Sequence, residues 1–573
     1  MLINYLIYLS KYLILYGYLF LLGRSVLLIL SRRIFNLSKI PKEILYSKSG
    51  VTYPLIGTLI FGNLIFFAHF FISISSPVLL ILLIIFIIPN IYDLNLNLKE
   101  SINFSTFFKY LIIPGILVIS IWDTAFNYDA GYYHILNQAW FRESNLIIGM
   151  VNIFWPFGMS SIYEYMSAFL WIDSSFVLLH FIDLIFIHIF YIFIIDGVFN
   201  DKYKSIKFSS IFLLAYSILD NFGFSEIILK IINPNAINEF SLGGRNGYIY
   251  IQGVGKQDIP VAILFYLVSI TLLIAINKKT IKSLDLLLVS LLIFFIYQLK
   301  VSGILVSVLY LVLIFIILQN KDKRIIDVFY LNIPVGIIGI FWSVKNLISS
   351  GCIVFPLSTT CFTNFHWYIS GSTESYEAIT TQASLAYKFG ESFTAWVSQS
   401  SSFEFRKEVF LNFIASLFIL FLIKKILFKK LSVNKNFNLI LFSFIFLNFF
   451  YLLFFGPIPR YAVGICMVSA SSFGFFTDKI KLNFSKNIFY VIVFISVFLL
   501  PRSNSYIAAL NNDSLRIFDP RINDEIYNEI GFVNLNENWV YPTYGDQCWA
   551  NLECTMAKEN IYFEDGFFKV ARK

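Results

Sequence analysis

The stretch Val301-Ser302-Gly303-Ile304-Leu305-Val306-Ser307-Val308-Leu309-Tyr310-Leu311-Val312-Leu313-Ile314-Phe315-Ile316-Ile317-Leu318-Gln319 carries no charge, and it stops at Asn320-Lys321-Asp322-Lys323-Arg324. A helix rises about 1.5 Å per residue, so about 20 apolar residues cross a hydrocarbon core of about 30 Å. The run is a transmembrane helix by length, and the basic cluster behind it anchors one end. Its side chains follow no alternation with a period of two, which argues against a β-barrel strand.

The rest of the chain repeats the pattern. Of 573 residues, 58% are apolar and only 14% charged, and the mean hydropathy is +0.74. Soluble proteins carry roughly 25% charged residues, so this chain cannot clothe a water-facing surface. A soluble enzyme, a disordered chain and a nucleic-acid binder are excluded, despite the formal charge of +8. Five cysteines are too few for a disulfide scaffold.

Apolar runs lie near 2–30, 52–73, 77–92, 108–122, 166–199, 208–220, 259–276, 283–299, 301–319, 326–342, 408–423, 437–455, 461–476 and 487–500. They predict an all-α polytopic membrane protein with about 12–14 transmembrane helices over residues 1–500, followed by a small tail, 501–573. The first run lacks a basic leader and a small-residue cleavage site and is interrupted by Lys11, so it reads as a retained span.

Lysine and arginine set the orientation. Alternate loops carry Arg32, Arg33, Lys39, Lys42 and Lys48, then Lys99 and Lys109, then Lys202, Lys204 and Lys207; the series continues with Lys278, Lys279 and Lys282, and with Lys321, Lys323 and Arg324. It ends with Lys424, Lys425, Lys429, Lys430 and Lys435, then Lys479, Lys481 and Lys486. These short basic loops are expected in the cytoplasm. The loops 123–165, 221–258, 343–407 and 456–460, with the tail, are then extracytoplasmic. The cysteines did not enter that assignment. Cys352 and Cys361 share one outer loop, Cys548 and Cys554 share the tail, and Cys466 lies in a span. In an oxidising compartment the two local pairs read as disulfides, with four unrelated thiols as the alternative.

In a lipid-soluble protein the informative residues are the few polar ones near the membrane. The first large outer loop reads Trp122-Asp123-Thr124-Ala125-Phe126-Asn127-Tyr128-Asp129-Ala130-Gly131-Tyr132-Tyr133-His134 and continues into the amphipathic stretch Ile135–Trp140, expected to lie as a helix in the interface. Asp129 reads either as an N-cap, or as a general base or ligand of a divalent metal ion. Within the next span, His180 and Asp183 are three apart and able to meet as polar glue or as a proton relay. Lys300, Lys345 and Arg460 sit at outer span ends, against the positive-inside preference. They read either as snorkelling cations or as a site for a lipid phosphate, which Arg460 is able to grip through two parallel hydrogen bonds. The Gly243-Gly244-Arg245-Asn246-Gly247 run lacks the setting of a phosphate-binding loop.

Together, Tyr128-Asp129-Ala130-Gly131-Tyr132-Tyr133-His134, Trp140, Gly149 to Asn152, Gly158-Met159-Ser160-Ser161, Asp258-Ile259-Pro260-Val261 and Lys300-Val301-Ser302 resemble a bacterial family of polytopic membrane proteins similar in layout to GT-C glycosyltransferases. The likeness is strongest in Lys345-Asn346-Leu347-Ile348-Ser349-Ser350-Gly351-Cys352, with Pro356, Cys361, Phe362 and Trp367. It ends in Pro459-Arg460-Tyr461 and Gly545-Asp546-Gln547-Cys548 through Cys554-Thr555. The resemblance implies outer-loop interfacial helices, a polyprenyl-phosphate-linked sugar donor, and a glycan or lipid acceptor within the membrane lipids. It implies Asp129 as base or acceptor organiser, with Asp123 and His134 as further catalytic candidates. Lys300, Lys345 and Arg460 would hold the donor phosphate, with Asn152, Asp258 and Trp367 as other substrate-binding candidates.

Three functions compete: a lipid-dependent glycosyltransferase, a polymerase or ligase of lipid-linked oligosaccharides, and a flippase for such a lipid. A flippase needs polar groups through the midplane and, often, paired repeats. The polar residues here gather toward one face, which favours surface chemistry.

Overall fold

The computed structural model describes residues 2–92, 103–122, 128–172, 177–200, 202–221, 249, 251, 256–368, 371–383, 387, 392–398, 414, 417–425, 435–455, 459–476, 485–511, 531–535, 538–543, 546–556, 561–564 and 567–570. The chain is mostly helical, and eight helices among these residues are long and apolar enough to cross a membrane. They are Ile3–Ile34, Ser49–His69, Phe104–Trp122, Val177–Val198, Asp258–Lys278, Val301–Gln319, Ile325–Ser350 and Lys435–Phe455.

The sequence suggested more; of its runs, half of 408–423 lies outside the described residues, and elsewhere the difference has local causes. The run 77–92 divides into Pro77–Ile85 and Pro89–Tyr92, because Pro89 lacks the N–H that would carry the helix on. Helix Lys204–Asn221 includes three charges, Lys204, Lys207 and Asp220. Ser283–Leu299 is 17 residues long. Lys486–Phe498 turns by 80° into Ser503–Asn511, a bent pair that makes nine spans if it counts as one. The tail is not all-α: Phe532–Asn534 pairs antiparallel with Val540–Pro542, and Ile561–Glu564 with Phe567–Val570.

Burial separates the centre of the bundle from its rim. Val177–Val198 and Asp258–Lys278 are enclosed along their apolar windows, whereas Ile325–Ser350 is mostly open. Phe315, Phe329, Ile340 and Phe446 are each more than 60% exposed. Apolar surface on that scale is untenable in water and suits lipid. The first two long helices meet through glycines: a Cβ on Gly23 would lie 1.8 Å from the Tyr53 carbonyl oxygen, and one on Gly57 1.8 Å from that of Leu19. Small residues let helix backbones approach this closely where no hydrophobic drive exists between helices.

Loops sort to the two ends of the bundle as their charges suggested. At one end Lys202 pairs with Glu43, Lys109 and Lys48 with Asp196, and Lys278 lies over Tyr46 and Tyr203. At the other, Gly149 N–H donates to Ile348 O (2.9 Å), Asn152 Nδ2 to Trp367 O (2.9 Å), Trp549 N–H to Gly131 O (3.0 Å) and Thr555 Oγ1 to Ile153 O (2.7 Å). The first outer loop, the Cys352 loop and the tail therefore form one layer. Disulfides Cys352–Cys361 and Cys548–Cys554 lie in this layer, and Cys466 is buried outside both.

Candidate functional site

The amphipathic stretch after Asp129 folds as one wide π-helical turn, Ala130–His134, leading into helix Ile135–Glu143. It does not lie with one face in lipid. Its polar residues Asn137 and Gln138 are as buried as Leu136, because helix Ile162–Phe169 and the tail cover it. Asn137 Nδ2 donates to Glu164 Oε2 (2.5 Å), Trp171 Nε1 donates to Gln138 Oε1 (2.9 Å), and Trp140 packs near Trp539.

Asp129 does not cap that turn through its side chain. Its carboxylate instead accepts from Lys256, just ahead of helix Asp258–Lys278. Burial alone would raise the Asp129 pKa, but the hydrogen bond and charge of Lys256, with His134 and Arg460 in electrostatic reach, hold it below the usual value.

Two residues on, Asp258 is buried and bound twice: Lys300 Nζ lies 2.5 Å from Oδ1 and Arg460 Nε 3.2 Å from Oδ2. Lys300 ends helix Ser283–Leu299, and Arg460 lies in the turn Pro459–Ala462. The Tyr461 ring lies beneath both cations, 3.9 Å from Lys300 Nζ and 5.6 Å from the Arg460 guanidinium carbon. A small cleft opens here. Asp258, Arg460 and Tyr461 form its polar end, and Phe265, Leu452 and Ile465 its apolar wall.

Lys345 is 1% exposed, so it does not snorkel to headgroups. Its ammonium donates to Ser160 O (3.2 Å) and Asn346 Oδ1 (3.0 Å) and lies 4.6 Å from the centre of the Trp342 ring. The charge of Glu164 reaches it. Glu164 is itself buried, with Oε1 2.6 Å from His134 Nδ1. Tyr133, its ring tilted by 40° against His134 with centres 4.0 Å apart, joins the two groups. Burial drives its hydroxyl pKa well up, followed by the charges of Asp129 and Glu164, and Arg460 opposes them.

Asp129, His134, Asp258, Lys300 and Arg460 thus gather in one region, with Lys345 reached through Glu164. Asn152 and Trp367 are ties between loops: the Trp367 carbonyl accepts from Asn152, and its indole donates to Leu347 O (3.0 Å). Asp183 accepts from the Tyr163 hydroxyl (3.3 Å). Asp123 and the glycine run 243–247 lie outside the described residues. Among the described residues no three His, Cys, Asp or Glu side chains could hold a metal ion together. With Asp129 engaged by Lys256, the described side chains do not fit a divalent cation. Sequence reasoning missed Lys256 and Glu164. Lys256 carried a usable signal, a cation in an outer loop two residues before a buried acid.

Residues 256–467 match the model of a family described as a domain of unknown function (DUF8201). The match takes in Lys256, Asp258, Lys300, Lys345 and Arg460 and leaves Asp129 outside. No curated protein matches the chain.

Proposed function

We propose that the protein is a GT-C-like membrane glycosyltransferase, transferring a sugar from a polyprenyl-phosphate donor to a cell-surface glycan or glycolipid on the extracytoplasmic face of a bacterial plasma membrane. The observation that carries this reading is the convergence of Lys256, Lys300 and Arg460 on Asp129 and Asp258 beside a cleft with an apolar wall. In their usual ionisation states these five groups leave one net positive charge, which complements the single negative charge of a sugar-phosphate diester. The apolar wall suits the first units of a lipid tail.

In the reaction, an acceptor hydroxyl attacks the anomeric carbon while the bond from that carbon to the phosphate oxygen breaks. The electron pair leaves with the phosphate, which gains a second negative charge, and the hydroxyl proton passes to the Asp129 carboxylate. Lys300 and Arg460 stabilise the departing charge, as preorganised cations do in a water-poor site. Lys256 bridges the two halves, because the arriving phosphate draws its ammonium away from Asp129 and frees the base. Glu164 orients His134 at the base of the site.

The second reading is a polymerase or ligase of lipid-linked oligosaccharides, with Arg460 and Lys300 on a pyrophosphate and no carboxylate base. The depressed pKa of Asp129 favours it, since a carboxylate held by lysine is a weak proton acceptor. Full-length protein in nanodiscs, given a radiolabelled polyprenyl-phosphate sugar and separately a polyprenyl-pyrophosphate oligosaccharide, distinguishes them. Labelled glycan from the monophosphate donor alone supports transfer; product from the pyrophosphate alone supports the ligase.

A further inference from the structure

Beside Asp129 lies a patch of different character. Tyr128 is 57% exposed. Its ring stacks on Tyr132, with centres 5.5 Å apart and planes 30° from parallel. Tyr132 is held from behind by Phe154 in an edge contact at 4.9 Å. The tail supplies the other half. Tyr541 is partly exposed and donates from its hydroxyl to Asp546 Oδ1 (3.1 Å). The Asp546 charge reaches the hydroxyls of Tyr128 and Tyr132, and the latter lies within electrostatic reach of Tyr541 and Asp129. Asp546 has φ +52, a left-handed conformation that aspartate adopts more readily than most non-glycine residues. Gln547 Nε2 donates to Tyr128 O (3.2 Å), which fixes the two halves against each other.

Flat tyrosine faces beside an outward carboxylate match one ligand class well. A pyranose presents an apolar C–H face that stacks on an aromatic ring, and a rim of hydroxyls that donate to carboxylate and phenol oxygens. An anionic phosphate is repelled by Asp546 and Asp129, and a lipid tail gains nothing from the carboxylates. We propose that Tyr128, Tyr132 and Tyr541 with Asp546 form a saccharide-binding subsite that seats the acceptor glycan against Asp129. The proposal rests on the transferase reading and gives its acceptor a location. The donor phosphate enters from the Arg460 side, the acceptor from the tail side, and Asp129 lies between them.

The test is saturation-transfer NMR on full-length protein in nanodiscs, with the methyl glycosides of glucose, galactose, mannose, rhamnose and N-acetylglucosamine as probes. At least one is expected to receive saturation at its ring protons. Tyr128→Ala combined with Tyr541→Ala should weaken that probe by about tenfold or more. Asp546→Asn should weaken it severalfold while leaving the shape of the patch intact, and Tyr128→Phe should retain stacking. Unaltered elution and an intact Cys548–Cys554 bridge would establish that the variants fold. Absence of saturation from all five probes in the unmodified protein, or undiminished binding in the double variant, overturns the subsite. Binding needs no donor and no turnover, so the two proposals fail separately. Probe binding without transfer activity would sink only the transferase. Transfer with an unchanged acceptor KM in Tyr128→Ala/Tyr541→Ala would sink only the subsite.

Discussion

Lys256 holds the carboxylate of Asp129, although they lie 127 positions apart in the chain and belong to different elements. Burial and this lysine pull the Asp129 pKa in opposite directions, and the lysine prevails. The folded-state value is depressed below the unfolded one, so the pair's contribution to stability is fully present above the unfolded carboxylate pKa of about 3.9 and fades as pH falls through the folded value. The wild-type acid limb of kcat/KM, which reports the donor-free enzyme, should therefore lie below the ordinary carboxylate range. In Lys256→Met the largest influence opposing burial is gone, leaving only His134 and Arg460 against it, and that limb should move to higher pH in a pH–rate profile. An unmoved limb would mean that Asp129 is not the titrating base.

Asp129→Asn preserves shape and removes the proton acceptor. Glycan product should fall by at least about 100-fold, the usual scale of a lost general base, while the protein remains folded and inserted. Product at the wild-type rate, measured with radiolabelled donor, would remove Asp129 from the chemistry.

Asp258 is buried, whereas Lys300 and Arg460 are partly exposed. Removing both cations (Lys300→Met/Arg460→Met) strands a buried carboxylate and should cost about 3–5 kcal/mol. Adding Asp258→Asn should restore most of that loss, because no unpaired charge then remains. Unfolding in detergent measures both changes, and additive losses across the triple variant would contradict the pairing.

Gly131 lies against the tail so closely that an added Cβ would meet Gln547 Oε1 at 2.1 Å and the Trp549 ring at 2.4 Å. Gly131→Ala should therefore displace the tail at a cost of about 1–3 kcal/mol, the usual range for overpacking. Limited proteolysis reads this directly as faster cleavage within 531–556.

Sidedness is open to labelling. In a chain whose other cysteines are disulfide-bonded or buried, Glu374→Cys should react with a membrane-impermeant maleimide on intact cells. Lys39→Cys should react only after permeabilisation. The reverse pattern would turn the proposed site toward the cytoplasm.

The bundle was legible in the sequence because lipid imposes long uncharged runs, and the sorting of loops followed from lysine and arginine alone. Runs such as 77–92 misled because composition says how apolar a segment is and not whether Pro89 divides it. Both disulfides were read from local cysteine pairs in loops that the charge pattern assigned to an oxidising compartment. The site was half legible: Asp129, Asp258, Lys300 and Arg460 stood out as polar residues in an apolar chain. Their pairing did not, since the contact between Asp258 and Arg460 depends on how distant helices pack. The burial of Asn137 and Gln138 was equally hidden, because the helix looks amphipathic until the tail covers it.

Gln547 meets Tyr128 across 419 positions of the chain. At a synthesis rate of roughly 5–20 residues per second, the ribosome needs about 20–80 s to travel that far. Throughout that interval the nascent polypeptide has its early helices in the bilayer and its Asp129 loop without a roof. A product that stops short of Gln547 would remain in that state permanently, so closure of this layer waits on a segment made hundreds of residues after the loop it covers.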